Sequence, residues 1–257
     1  MEYFVIIIVA FGASMLTFFS GFGLGTLLTP AFLLFFPLPI AISLTAIVHF
    51  LNNAFKFLII GKHLDRKVLL GFGIPAIFGV LPGVWLLSRL DILNEIASYS
   101  FNSKSYSITW LGISMGVLMI FFALNEFSKL NHQKPTDLAL AGGGFLSGFF
   151  GGLSGYQGAL RSSFLIRMNL SKEVFVATGV GISLFVDITR IPLYYETWMT
   201  SFDKAEWMLV LLAIIPAFVG AYFGKKFLKK TSIMVVRKIV GWMLIIFGLL
   251  LIAGILS

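Results

Sequence analysis

Arg161, Asp187 and Arg190 stand inside otherwise apolar stretches of the chain, as do His49 and Lys56 in its first half. A guanidinium is a planar fork of donors that suits an oxyanion through two parallel hydrogen bonds. Arg161 comes three positions after Gly158, on a short segment where its side chain has no easy route to a surface. A charge held at mid-membrane costs about 2.5–3.5 kcal/mol on insertion scales, so such a residue faces a cavity or a partner. Two compatible readings follow: Arg161 contacts an anionic substrate, or it forms an ion pair for which Asp187 is the obvious partner. Asp187 and Arg190 are three apart and share a helix face, so they can also pair with each other. Burial disfavours the charged form of a carboxylate, which makes Asp187 a candidate for carrying a coupling proton as well as a structural partner.

Gln157, Tyr156, Ser154 and Ser162 surround the same stretch and are candidate hydrogen-bonding groups for substrate oxygens. Hydroxyls in such places also serve simply to satisfy freed backbone groups. In the first half, His49, Asn53 and Lys56 are spaced by four and three and share one helix face. Asn53 is a candidate substrate contact. His49 is a candidate for proton work near neutral pH, with plain packing as the alternative. Lys56 lies near enough to a basic end of its segment to snorkel to the surface. No His, Asp or Glu set has metal-ligand spacing, no nucleophile–base pair is apparent, and there is no Cys. Neither a metal nor another cofactor is expected, and enzyme chemistry is disfavoured.

The elements that must hold these residues are set by composition. Of 257 residues, 58% are hydrophobic and 12% charged, and the mean hydropathy is +0.98. A soluble domain is about half apolar and a quarter charged, so a lipid bilayer is the expected surrounding. Apolar runs of about the ~20 residues needed to span it fall at 40–61, 67–88, 106–126, 173–195, 206–224 and 234–256. Residues 2–36 and 137–168 are apolar but interrupted. The first is broken at Ser20-Gly21-Phe22-Gly23-Leu24-Gly25 and the second at Gly151-Gly152-Leu153-Ser154-Gly155-Tyr156-Gln157-Gly158. Strings of glycine end helices and permit close backbone approach. Half-helix N-termini at such breaks present unpaired N–H groups and positive dipole ends to an anion. Gly21, Gly23, Gly25, Gly155 and Gly158 are therefore backbone candidates for a substrate site. The stretch 91–105 reads as a polar outer loop, with a short interfacial helix at 92–98.

Charge sets the expected topology. If each interrupted stretch is a hairpin returning to its starting side, 13 of the 19 Lys and Arg fall on one face and only Arg89, Lys104 and Lys204 on the other. Single crossings would split them ten against six. The positive-inside rule favours the hairpins, with the basic face cytoplasmic and both termini outside the inner or plasma membrane. The net charge of +8 is then a topological signal and no sign of nucleic acid. Glu2 stands where a cleaved leader would carry basic residues, so the first segment is expected to be retained.

The halves repeat. Ile74-Pro75-Ala76-Ile77-Phe78-Gly79-Val80-Leu81-Pro82-Gly83 matches Ile215-Pro216-Ala217-Phe218-Val219-Gly220-Ala221-Tyr222-Phe223-Gly224, both reading Pro-x3-Gly-x3-Gly. Small residues every fourth position line a face that packs closely on a neighbour. The expected organisation is all-α: residues 1–128 as one repeat, 129–136 as a cytoplasmic linker and 137–257 as an inverted second repeat. Each repeat is a glycine-broken hairpin plus three transmembrane helices. Inverted repeats with breaks in matching positions point to a secondary transporter and to its site.

At these residues the chain resembles the sulfite exporter TauE/SafE family, over nearly its whole length. The resemblance lies in the early glycine-rich break followed by Thr29-Pro30 and in the repeat. It is densest in Gly155-Tyr156-Gln157-Gly158-Ala159-Leu160-Arg161-Ser162-Ser163-Phe164-Leu165, with Ser171-Lys172-Glu173, Ala177-Thr178-Gly179 and Val186-Asp187-Ile188-Thr189-Arg190 downstream. It implies a membrane transporter exporting sulfite, a sulfonate or another small organic anion, driven by the proton gradient. A passive anion channel of the same architecture is the alternative, and a membrane-embedded enzyme a more distant one.

Overall fold

Apolar runs longer than a bilayer is thick become helices, because in lipid each backbone N–H and C=O must find its partner within the chain. The computed structural model describes residues 2–20, 24–92, 95–101, 104–127, 133–195, 204–227 and 233–256. Among these the order is α1 (Glu2–Ser20), α2 (Gly25–Leu33), α3 (Leu38–Ile60), a 3-10 turn (Gly61–His63) and α4 (Arg66–Ile92). A two-stranded sheet follows, β1 (Glu95–Phe101) and β2 (Lys104–Thr109), and then α5 (Trp110–Phe127) and α6 (Asp137–Ser154). The chain continues through α7 (Gln157–Ile166), α8 (Lys172–Leu193), α9 (Lys204–Phe227) and α10 (Ile233–Ile252). The architecture is all-α, with 84% of the described residues helical. Four helical stretches, Leu38–His63, Arg66–Leu90, Lys172–Leu193 and Trp207–Lys226, are long and apolar enough to cross a membrane.

Local signals account for several boundaries. Thr136 caps α6 by accepting from the Ala139 N–H at 3.2 Å, and Ser171 caps α8 by accepting from Val174 at 3.3 Å. Pro30, Pro75, Pro82, Pro192 and Pro216 lie inside helices, a placement that membrane helices tolerate.

Glycine decides the packing. In α6, Gly144, Gly148 and Gly152 form a groove in which a methyl group would strike the carbonyls of Phe72, Ala76 and Val80 on α4. Gly79 and Gly83 of α4 answer with the same close approach to Phe145 and Phe149. The pairing recurs elsewhere: Gly220 and Gly224 of α9 lie against Phe11, Met15 and Phe18 of α1. Gly116 of α5 and Gly248 of α10 meet backbone to backbone. Helices α3 and α8 pack together at the centre. Without a hydrophobic drive between helices in lipid, this close fit supplies the association energy.

The polarity of the molecule is reversed relative to a soluble protein. Phe78, Trp85, Leu211, Ile215 and Trp242 are exposed on the outside, as lipid-facing residues should be. His49, Asn52, Asn53, Lys56, Gln157, Arg161, Asp187 and Arg190 are buried.

The sequence reading needs three corrections here. Residues 95–101 form a strand and not a short helix, paired antiparallel with 104–109. Tyr99 and Tyr106 face each other across the pair with rings stacked at 5.3 Å, and such aromatic pairs stabilise a hairpin. As a result the apolar run at 106–126 begins as β2, and its helix starts at Trp110. The second break is also much shorter than its glycines suggested, since α6 runs through Gly151 and Gly152 to Ser154.

The glycine groove gives a direct test. Gly148→Val should destabilise the protein by about 1–3 kcal/mol or prevent folding, because overpacking forces the two backbones apart. Gly142→Ala, with open space at its Cβ position, should leave the melting temperature in detergent nearly unchanged.

Candidate functional site

The second break is two residues. Gly155 adopts φ +79°, the left-handed conformation that glycine enters without strain, and its N–H bonds to Gly151 O. Tyr156 is the N-cap of α7. On the other side, α2 opens at Gly25. The two breaks meet: a Cβ on Gly25 would lie 3.2 Å from the carbonyl oxygen of Gly155 and 3.5 Å from Thr45 Cγ2. Gly21 and Gly23 lie outside the described residues, so the remainder of the first break is not part of this geometry.

Around that junction α3 and α8 run in opposite directions. The Asp65 N–H, just after the end of α3, donates to Thr178 near the start of α8 at 2.9 Å, and the middles of the two helices join through His49 and Asp187. Along α3, Thr45, His49, Asn53 and Lys56 share a face; along α8, Gly179, Ser183, Asp187 and Arg190 do the same. The result is a polar column in three layers.

The central layer is built on Asp187. His49 Nδ1 lies 2.7 Å from its Oδ2, and Asn53 Nδ2 donates to the same oxygen at 3.3 Å. Arg190 Nε donates to Oδ1 at 3.0 Å and Gln157 Nε2 at 3.4 Å. Arg190 Nη1 reaches across to donate to Gly151 O at 3.1 Å. Besides Arg190 on Asp187's own helix, α3 and α7 supply the donors to this carboxylate.

The second layer lies toward the start of α8. Arg161 Nη1 donates to Gln157 Oε1 at 3.4 Å and to Ser183 Oγ. Lys56 does not snorkel: it is buried, with Nζ 3.5 Å from Thr17 Oγ1 and 5.6 Å above the Phe18 ring. The Asn52 amide satisfies its neighbours when its oxygen accepts from Lys56 Nζ at 3.1 Å and its nitrogen donates to Ala217 O at 3.1 Å. Lys56 turns inward because the residues one turn away on α1 and α3 offer it oxygens, which a lipid-facing side would not. Lys56 and Arg161 line one cleft with Thr17, Phe18, Asn53, Val176, Gly179 and Val180. Its cavity is ≈10 Å³, about one water.

The third layer, on the opposite side of Asp187, comprises Thr45, Thr29 and the far edge of Arg190.

Sequence reasoning placed Arg161, Gln157, Asn53, His49, Asp187 and Arg190 among the candidates, and the fold brings these together. It offered Asp187 as a partner for Arg190 or Arg161: Arg190 pairs with it directly, and Gln157, bonded to Asp187, accepts from Arg161 through its side-chain carbonyl. Ser154 and Ser162 donate to the backbone, to Phe150 O at 2.9 Å and Gly158 O at 2.6 Å. Tyr156 is buried, its ring 6.4 Å from Phe122. Lys56, Thr17 and Ser183 were missed as site residues. For Lys56 the signal was its place on the His49–Asn53 face; for Ser183 it was the four-residue step before Asp187.

Residues 6–251 match the sequence profile of the sulfite exporter TauE/SafE family. The chain belongs to this family. No curated protein shows a significant match to it. As a TauE/SafE member with long apolar helices, the chain is a multi-pass membrane protein of a transporter family.

The central layer should be costly to break. Asp187→Asn leaves Arg190 as a buried charge without its counter-ion and should destabilise the protein by about 3–5 kcal/mol. Asp187→Leu combined with Arg190→Met should recover part of that loss, as read by thermal unfolding in detergent.

Proposed function

We propose that the chain is a secondary transporter, an exporter, of a small oxyanion such as sulfite, a sulfonate or another organic anion. The observation that carries this reading is the pair Lys56 and Arg161 on one buried cleft, while the buried carboxylate between the helices is already bonded to Arg190. Two cations facing one space favour an anion, and the forked donors of Arg161 suit an oxyanion. Gln157 and Asn53 stand beside them as further donors, and Gly25, Gly155 and Gly158 keep the backbone thin where the breaks meet. The narrowness of the cleft supports a carrier over an open channel, because only a single water fits in this conformation.

The His49–Asp187 pair is the coupling element of this reading. Their contact at 2.7 Å joins α3 to α8, and a proton exchanged there changes the attraction between the two helices. The groups that bear on His49 are Asp187 and Arg190 from α8, Arg161 from α7 and Asn53 from its own helix, whose amide nitrogen lies 3.1 Å from Nδ1. The pairing of α4 with α6 and of α9 with α1 supports halves related by an inverted repeat, 1–128 and 137–257 about the linker 129–136. In the membrane, the ends rich in Lys and Arg face the cytoplasm and both termini lie outside.

Proteoliposomes carrying the purified protein test both parts. Arg161→Ala should reduce sulfite flux more than tenfold while the protein still inserts and melts cooperatively; undiminished flux would remove Arg161 from the site. His49→Gln should leave sulfite exchange intact but abolish its acceleration by an imposed pH gradient. If the gradient dependence persists in that variant, His49 is not the coupling residue.

A further inference from the structure

Three buried side-chain atoms among the described residues have no hydrogen bond: Thr29 Oγ1, Thr45 Oγ1 and Arg190 Nη2. Their residues are 1%, 1% and 0% exposed. Native interiors rarely leave such groups unmatched, and each one calls for an explanation. All three belong to the third layer, beyond the His49–Asp187 contact and away from Lys56 and Arg161. Their side chains border the junction of the breaks. A Cβ on Gly155 would lie 3.2 Å from Arg190 Nη1 and 3.9 Å from Thr29 Oγ1, and the methyl of Thr45 faces Gly25. Arg190 Nη2 does sit 2.9 Å from Asp187 Oδ1, yet that close approach is not aligned as a hydrogen bond.

We propose that this junction is a second oxyanion position, held by Arg190 Nη2 and the hydroxyls of Thr29 and Thr45. The proposal rests on the anion-transport reading above. A guanidinium nitrogen only donates, and its charge repels a cation. The two hydroxyls can turn to donate toward the same guest, and the positive end of α2, a helix of nine residues opening at Gly25, adds to the attraction.

The two positions lie along one axis. Thr45 and Lys56 are eleven residues apart on α3, roughly 16 Å at the rise of an α-helix. Asp187 stands between them, and its negative charge keeps an anion from settling midway. A cargo thus has a station on each side of the His49–Asp187 contact. Division into separate stations makes entry favourable without making release slow.

The test uses purified full-length protein with sulfite, sulfate and sulfoacetate, by isothermal titration calorimetry and thermal shift. The wild type should take up two equivalents of the preferred anion. Thr29→Val with Thr45→Val should take up one, with the other weakened at least tenfold, while Thr29→Ser with Thr45→Ser should retain both. Without ligand, the double valine variant should melt at the same temperature or higher, since it loses only hydroxyls that lacked partners. Two equivalents of unchanged affinity in the valine variant would overturn the second position. So would a lower ligand-free melting temperature, which would mean that the hydroxyls serve an ordered water. A single wild-type equivalent abolished by Arg161→Ala would overturn it too, yet leave the transport reading standing. No binding of any of the three anions by the wild type would overturn both.

Discussion

A carboxylate with no access to water organises this molecule. Asp187 is buried completely, and a single uncompensated charge in such a place would be excluded from a folded membrane protein. Its oxygens are met by Arg190 from the same helix, by His49 and Asn53 from α3 and by Gln157 from α7. That set of partners fixes the register of α3 against α8 and holds the start of α7 at the core. Gln157 then hands the constraint on, since its carbonyl oxygen accepts from Arg161. The positions of the charged side chains are thus linked through one acid, and α7 begins within reach of it.

The second requirement is thinness. A polar column through an apolar bundle leaves little side-chain volume for gripping, so the surrounding helices associate through backbone contacts at glycine. The groove of Gly144, Gly148 and Gly152 against α4 is one such contact, and the meeting of Gly116 with Gly248 is another. Glycine therefore has two separate roles in the same short stretch of sequence. At Gly155 it permits the left-handed turn; at its neighbours in α6 it permits approach.

Those two roles explain what could be read in advance. The all-α membrane class followed from hydropathy alone, the buried placement of Arg161 and Asp187 followed from charges where lipid should not accept them, and Gln157 drew notice through its place in the second break. The extent of the second break did not, because Gly151 and Gly152 look the same whether they end a helix or pack it. The four-residue step from Gly144 to Gly152 was the available signal, the same spacing that revealed the Pro-x3-Gly-x3-Gly repeat. Lys56 was misplaced because snorkelling depends on what lies beside the stem, and Thr17 and Asn52 become neighbours only in three dimensions. The hairpin at 95–109 escaped because its alternating Tyr and Ser residues are few and its polar character resembles a loop.

That hairpin also limits how the molecule can move. The Tyr99 hydroxyl donates to Ala253 O at 2.7 Å, just beyond the end of α10, and Gly254 lies against the backbone of Ser107. Together with the Gly116–Gly248 contact, these stitch the last helix to the first half of the chain along one entire edge. Swinging the halves apart as two rigid blocks would tear that seam. The short arms α2 and α7 are held differently: α2 is buried along its whole length, and α7 is tied to α8 through Gln157–Asp187 and Arg161–Ser183. The molecule is thus braced twice over, by backbone contacts along that edge and by charged side chains at the core.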